Sequence, residues 1–215
     1  MKKWKTIADI RREYGTLSLS KQDAALTPFE QFERWFQDVI EVETIDPTAM
    51  VLATVDHQGH PDTRVVLLKG IENNAFVFFT NYQSTKAIQI DQNPYVALNF
   101  YWPEMARQVR IRGSIQKASK TQSDTYFASR PLSSQLSAIC SPQSRVVGER
   151  GELEHRFNEL IAKHQQEPIV RPEYWGGYVV NPETVEFWQG RDNRLHDRLQ
   201  YILKDGQWHI KRLAP

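Results

Sequence analysis

Between residues 49 and 80 three short apolar runs follow one another with only a few polar residues between them. Spacers this short leave no room for a helical crossover, so the runs must pair as antiparallel strands. They cover residues 50–55, 63–71 and 75–80, separated by His57-Gln58-Gly59-His60-Pro61 and Glu72-Asn73-Asn74, which carry turn-forming residues. Further strands are expected at 95–102, 108–117, 178–180, 184–188, 197–203 and 207–213, the last two joined by a Lys204-Asp205-Gly206 turn. Helical periodicity interrupts these groups rather than following every strand. Thr27-Pro28-Phe29-Glu30 is a capping box with proline at the first helical position, and Phe29, Phe32, Trp35, Phe36, Val39 and Ile40 continue it as one apolar stripe. Helices are also expected at 84–92, 119–129, 131–139 and 149–163. The pattern predicts an α+β chain, mainly β, whose antiparallel barrel is decorated by helices, rather than a parallel doubly wound sheet. Residues 1–26 are polar and read as a flexible arm, with residues 27–215 forming a single domain.

The 215 residues suffice for one substantial core. With 27 basic against 26 acidic residues, the formal net charge of +1 lacks the footprint of a nucleic-acid binder, so cations must act locally. The single cysteine, Cys140, excludes an internal disulfide and fits a reducing compartment, the cytoplasm being the simplest. No apolar run approaches the roughly 20 residues needed to cross a bilayer, so no membrane partner is expected.

Three constellations could carry chemistry. The run 188–198, WQGRDNRLHDR, sets Arg191, Arg194, Arg198 and His196 beside Trp188, a combination suited to a flat phosphorylated ligand, although it also reads as a solvated basic turn beside a core tryptophan. The strand Arg64-Val65-Val66-Leu67-Leu68-Lys69 has a cation at each end, five positions apart, which in a regular strand points the two to opposite faces and toward two anions or simply to solvent. Tyr126, Arg130 and Ser134 recur every four residues and could hold a phosphate, or form an ordinary helix surface. Lys86 enters a helix start, where the dipole disfavours a cation. The six histidines form no metal-ligand spacing, and neither a Gly-x-Ser-x-Gly elbow nor a Gly-rich phosphate loop occurs. Many anion donors without a nucleophile or metal set point to an organic cofactor.

RREY at 11–14, DPTAM at 46–50, RVVLLK at 64–69, FFTN at 78–81, SRP at 129–131, QS at 143–144, FWQG at 187–190, RLHDR at 194–198 and RLAP at 212–215 resemble, in order, the pyridoxamine 5′-phosphate oxidase family. The resemblance implies an FMN-binding split barrel, working as a homodimer with flavin at the subunit interface. It assigns Arg64, the backbone of Val65, Val66, Leu67 and Leu68, and Lys69 to FMN. Phe79, Thr80, Lys86, Gln108, Gln143, Ser144, Trp188 and Arg198 follow, with Arg64 and Lys86 on the phosphate. Thr85 stands where an arginine often precedes the lysine, and Phe79 stands for a frequent tyrosine. Substrate contacts implied are Lys69, Tyr126, Arg130 and Ser134 around a vitamin phosphate, and Arg194, Leu195 and His196 over the pyridine ring. Arg194 and His196 would be the catalytic pair, and Arg11, Arg12, Glu13 and Tyr14 a lid. The implied reaction oxidises C4′ of pyridoxamine or pyridoxine 5′-phosphate, the electrons passing through the flavin to oxygen, giving pyridoxal 5′-phosphate, hydrogen peroxide and, from the amine, ammonia. Two other readings are a noncatalytic FMN or pyridoxal phosphate binding module, and a nicotinamide-dependent flavin reductase on the same fold.

Overall fold

The computed structural model describes residues 13–42, 44–164 and 168–215, so the expected lid residues Arg11 and Arg12 lie outside the described residues. The chain runs α1 (Pro28–Glu41), β1 (Ala49–Val55), β2 (Pro61–Leu67), β3 (Gly70–Glu72), β4 (Ala75–Asn81), α2 (Thr85–Gln92), β5 (Tyr95–Trp102), β6 (Arg107–Lys117), α3 (Lys120–Ser129), α4 (Leu132–Cys140), α5 (Arg150–Lys163), β7 (Trp175–Gln189), β8 (Asp197–Lys204) and β9 (Gln207–Leu213). The strands hydrogen-bond in the order β2-β1-β5-β6-β7-β4-β3, with β8 added on β7 and β9 on β8. This is the α+β antiparallel sheet with helices set between strand groups that the pattern of runs and turns predicts. Among the described residues no helix is long and apolar enough to cross a membrane.

Contacts divide the chain into two compact units, one made of residues up to Pro47, Asn99–Ile111 and Glu183–Pro215, the other of Thr48–Leu98 and Arg112–Pro182. In the first, α1 begins at a complete capping box in which Thr27 Oγ1 accepts from Glu30 N–H and Glu30 accepts from Thr27 N–H. Its apolar face buries Phe32 and Trp35 against Phe100 and Phe187, with ring centroids 5.0 and 5.2 Å apart. Arg107 covers the outer face of Trp35 at 4.5 Å and pairs with Asp38 at 2.6 Å. Leu19 and Ala25, ahead of the helix, are also buried.

In the second unit, β1 and β2 form a hairpin in which Leu52 faces Arg64, and β4 pairs with the first part of β7 from Phe76 opposite Val180 to Asn81 opposite Trp175. Two expectations are corrected here. The single strand expected at 63–71 is two, because the chain changes partner. Leu68 N–H donates to Thr48 O next to β1, whereas Lys69 N–H donates to Val77 O on β4. The two strands expected at 178–180 and 184–188 are one 15-residue strand, β7. Pro182 falls between the stretch paired to β4 and the stretch paired to β8, where its missing N–H costs neither ladder a bond.

Candidate active site

The second unit holds a cavity of about 780 Å³ lined by the end of β2, Lys69, β4, the start of α2, α3, α4 and Trp175, a size suited to a cofactor or drug-sized ligand. The break after Leu67 explains why Arg64 and Lys69, of opposite parity, both line it. The regular-strand expectation of two opposed faces therefore gives way to one shared cleft.

Lys86 is buried in the first turn of α2, and its Nζ donates to Gln143 Oε1 at 2.9 Å and to Thr80 Oγ1 and Ser84 Oγ at 3.3 Å. These are neutral oxygens, and Lys86 makes no ion pair among the described residues. Burial pushes its pKa down to about 8, neighbouring Arg64 adding to the effect and Asp62 opposing it. Gln143 also accepts from Thr80 Oγ1 at 2.9 Å, which ties the loop after α4 to the end of β4.

Aromatic rings form another wall. Phe79 stacks on Tyr126 at 3.9 Å and on Trp175 at 5.6 Å, and the guanidinium of Arg130 lies over Trp175 at 4.7 Å. Gly177 makes room for this stack, since a Cβ there would stand 2.8 Å from the Phe79 ring. Arg130 Nη1 is buried and has no hydrogen-bond partner among the described residues. Burial disfavours its charge and raises the Tyr126 hydroxyl pKa. A buried guanidinium nitrogen without an acceptor is costly, and an anion in the cavity would supply one.

The first unit holds a second cluster. Trp188 and His196 rings lie 4.7 Å apart, and Tyr14 sets its edge against both, at 5.7 and 5.4 Å. Gly190 allows the approach, because a Cβ there would be 2.8 Å from the Tyr14 ring. Gly15 N–H donates to Asp192 Oδ1 at 3.0 Å, fastening the segment to the β7–β8 turn. His196 Nδ1 accepts from Arg191 N–H at 3.1 Å. A backbone amide can only donate, so the neutral imidazole carries its proton on Nε2. Asn193 and Arg194 both adopt left-handed backbone, with φ of 57° and 60°, and Arg194 and Leu195 are exposed. Arg198 is held by Glu186 at 2.9 Å and donates to Ala214 O at 2.8 Å.

Of the residues expected at a site, Arg64, Val65, Val66, Leu67, Lys69 and Phe79 line the cavity, as do Thr80, Lys86, Tyr126, Arg130, Ser134 and Gln143. Leu68 turns into the core, and neither Thr85 nor Ser144 is part of the lining, Ser144 being exposed in left-handed backbone at φ 68°. Glu13, Tyr14, Gln108, Trp188, Arg194, Leu195, His196 and Arg198 belong to the other unit. Trp175 and Ser137 are lining residues that the sequence reading missed. The Trp-Gly-Gly run at 175–177 carried the signal for the first, a large ring followed by two positions without side chains.

Comparison with known proteins is consistent along the chain. Residues 15–164 match the family described as pyridoxamine 5′-phosphate oxidase, and residues 175–215 match the pyridoxine 5′-phosphate oxidase C-terminal dimerisation region. The pyridoxine/pyridoxamine 5′-phosphate oxidase of Legionella pneumophila (strain Paris) is 60% identical over 215 residues, covering 100% of both chains. That of Rippkaea orientalis is 51% identical over 210 residues, covering 97% of this chain and 99% of the relative. Among solved structures, PhzG from Burkholderia lata 383, in complex with tetrahydrophenazine-1-carboxylic acid, superposes with a TM-score of 0.89 at 25% identity, covering 95% of this chain and 100% of that one. A pyridoxamine 5′-phosphate oxidase-related, FMN binding protein from Nostoc punctiforme has a TM-score of 0.71 at 20% identity, covering 89% of this chain and 100% of that one, and shares the fold. With matches spanning nearly every described residue, the chain belongs to the pyridoxamine 5′-phosphate oxidase family.

Proposed function

We propose that the chain is an FMN-dependent oxidase that converts pyridoxamine and pyridoxine 5′-phosphates to pyridoxal 5′-phosphate. The names of its full-length relatives support the substrate pair. One observation carries the reading into this molecule. A single cavity combines a stacked aromatic wall with two separately held cationic groups, Lys86 on neutral oxygens and Arg130 with an orphaned Nη1. Buried cations lacking acidic partners suit phosphate esters, and flat rings beside them suit flat ligands.

The lining fits FMN by that chemistry, with Arg64, Lys86, Thr80 and Gln143 around its phosphate. Lys69, Tyr126, Arg130 and Ser134 hold the substrate phosphate. When bound, FMN would supply a two-electron acceptor that oxygen regenerates, with hydrogen peroxide as the second product and, from the amine, ammonia released by water. The protein contributes positioning. The phosphate contacts anchor one end of the substrate, Arg194 orients the pyridine ring, and His196 presents its Nε2 proton as a donor toward it. The match at residues 175–215 supports a homodimer, and in this reading its flavin sites lie at the subunit interface, in the cytoplasm.

The test is to isolate the yellow protein and follow peroxide and aldehyde formation from pyridoxine 5′-phosphate in air. Arg194→Ala should lower turnover at least tenfold with flavin retained. Loss of flavin instead would overturn the role given to that side chain. Full flavin without product in the unaltered protein would leave a binding module.

A further inference from the structure

Arg64, assigned above to the cofactor phosphate, already has acceptors for all four N–H groups of its terminal nitrogens. Nη1 donates to Leu52 O at 3.1 Å and Thr54 Oγ1 at 2.6 Å, and Nη2 donates to Gln89 Oε1 at 3.2 Å and to Asp62 Oδ2 at 2.6 Å. An anion reaching this guanidinium must take Nε–H or displace one of those partners. Three of them are neutral and the fourth is a carboxylate. Asp62 and Arg64 lie two apart on β2, hence on one face, and Gln89 Nε2 donates to the same carboxylate oxygen at 3.3 Å. Burial pushes the Asp62 pKa up, but Arg64, Gln89 and the Thr63 N–H outweigh it and hold the carboxyl below its ordinary value. It is therefore charged at neutral pH. Thr85, one residue before Lys86, offers no compensating charge.

We infer that Asp62 is an internal competitor for the anion at Arg64, and that its charge sets both the affinity for FMN and the discrimination between FMN and unphosphorylated riboflavin. The inference rests on reading the cavity as the flavin site. A phosphate dianion entering beside Lys86 and Arg64 meets two cations and one carboxylate, so the local charge it finds is half of what the cations alone would offer. Repulsion between a half-exposed carboxylate and a phosphate a few ångströms further on is screened by water and salt, and corresponds to a factor of about three to ten in affinity at low ionic strength. Riboflavin carries no charge at that end and should not feel it.

Dissociation constants of the full-length protein for FMN and riboflavin, measured by quenching of flavin fluorescence, provide the test. Asp62→Asn keeps an amide oxygen for Arg64 and Gln89 while removing the charge. It should tighten FMN about three- to tenfold at low salt, leave riboflavin within about twofold, and lose much of the gain in high salt. Asp62→Glu, which restores the carboxylate, should return FMN to within about twofold of the unaltered protein. Unchanged or weaker FMN binding by Asp62→Asn, or an equal gain for riboflavin, would overturn the inference. If the unaltered protein bound neither flavin, the reading of the cavity itself would fall.

Discussion

Lys86 has a cation's charge in a place that opposes it, the first turn of α2, where the helix dipole is positive and burial removes water. Its pKa in the folded, anion-free protein is about 8, against 10.5 for an ordinary lysine. Between those values the unfolded chain binds more protons than the folded one. Stability contributed through this group therefore rises with pH across that window, relative to Lys86→Met. A phosphate beside Nζ restores preference for the ammonium, so binding above pH 8 must take up a proton. Calorimetric titration of FMN at pH 9, in buffers of different ionisation enthalpy, should show uptake close to one proton, and Lys86→Met should bind more weakly with none. Equal proton uptake by both proteins would show that Lys86 does not meet the anion. The sequence already marked this residue as electrostatically misplaced, and the four-residue spacing marked Tyr126, Arg130 and Ser134. Asp62 was legible in principle, because residues two apart on a strand share a face. Trp175 was harder to see, since it joins Phe79 and Tyr126 only through the pairing of β4 with β7.

At the scale of elements, the aromatic wall depends on what β7 omits. Gly177 pairs with Phe79 across the β4–β7 ladder, and a Cβ at 177 would stand 2.8 Å from both the Phe79 ring and the Ala118 side chain. Gly177→Ala should therefore displace the ring stack, costing about 1–3 kcal/mol of stability as overpacking does. A lowered denaturant midpoint together with weaker flavin binding is the expected result. A midpoint unchanged within about 0.5 kcal/mol would mean that the wall yields freely. The same strand shows what local pattern can and cannot reveal. Helix α1 was legible from its capping box and apolar stripe because both signals are contained within one segment. The union of 178–180 with 184–188 into β7 was not, because Pro182 reads as a breaker until two different partners are seen on either side of it. Likewise the break between Leu68 and Lys69 is a change of hydrogen-bonding partner that no run of apolar residues records.

Across the whole chain, the candidate residues fall into two sets, each gathered inside its own compact unit. The cationic and aromatic cavity lies in one, and the Tyr14, Trp188 and His196 cluster with Arg194 in the other. Sequence likeness alone could assign both sets to one reaction, because order along the chain is enough for that. Which copies of the chain supply them to a given site is a matter of assembly. If the proposed homodimer builds each flavin site from Arg130 of one subunit and Arg194 of the other, symmetry makes two such sites. Arg130→Ala and Arg194→Ala homodimers would each be impaired at both sites. In a heterodimer of the two variants one site carries both substitutions and the other carries neither, so about half of the unaltered activity should return. The heterodimer can be isolated with two different affinity tags after co-expression and assayed for peroxide from pyridoxine 5′-phosphate. If each site instead drew Arg130 and Arg194 from the same subunit, every site in that heterodimer would lack one of them, activity would stay at the level of the single variants, and the shared interface site would be ruled out.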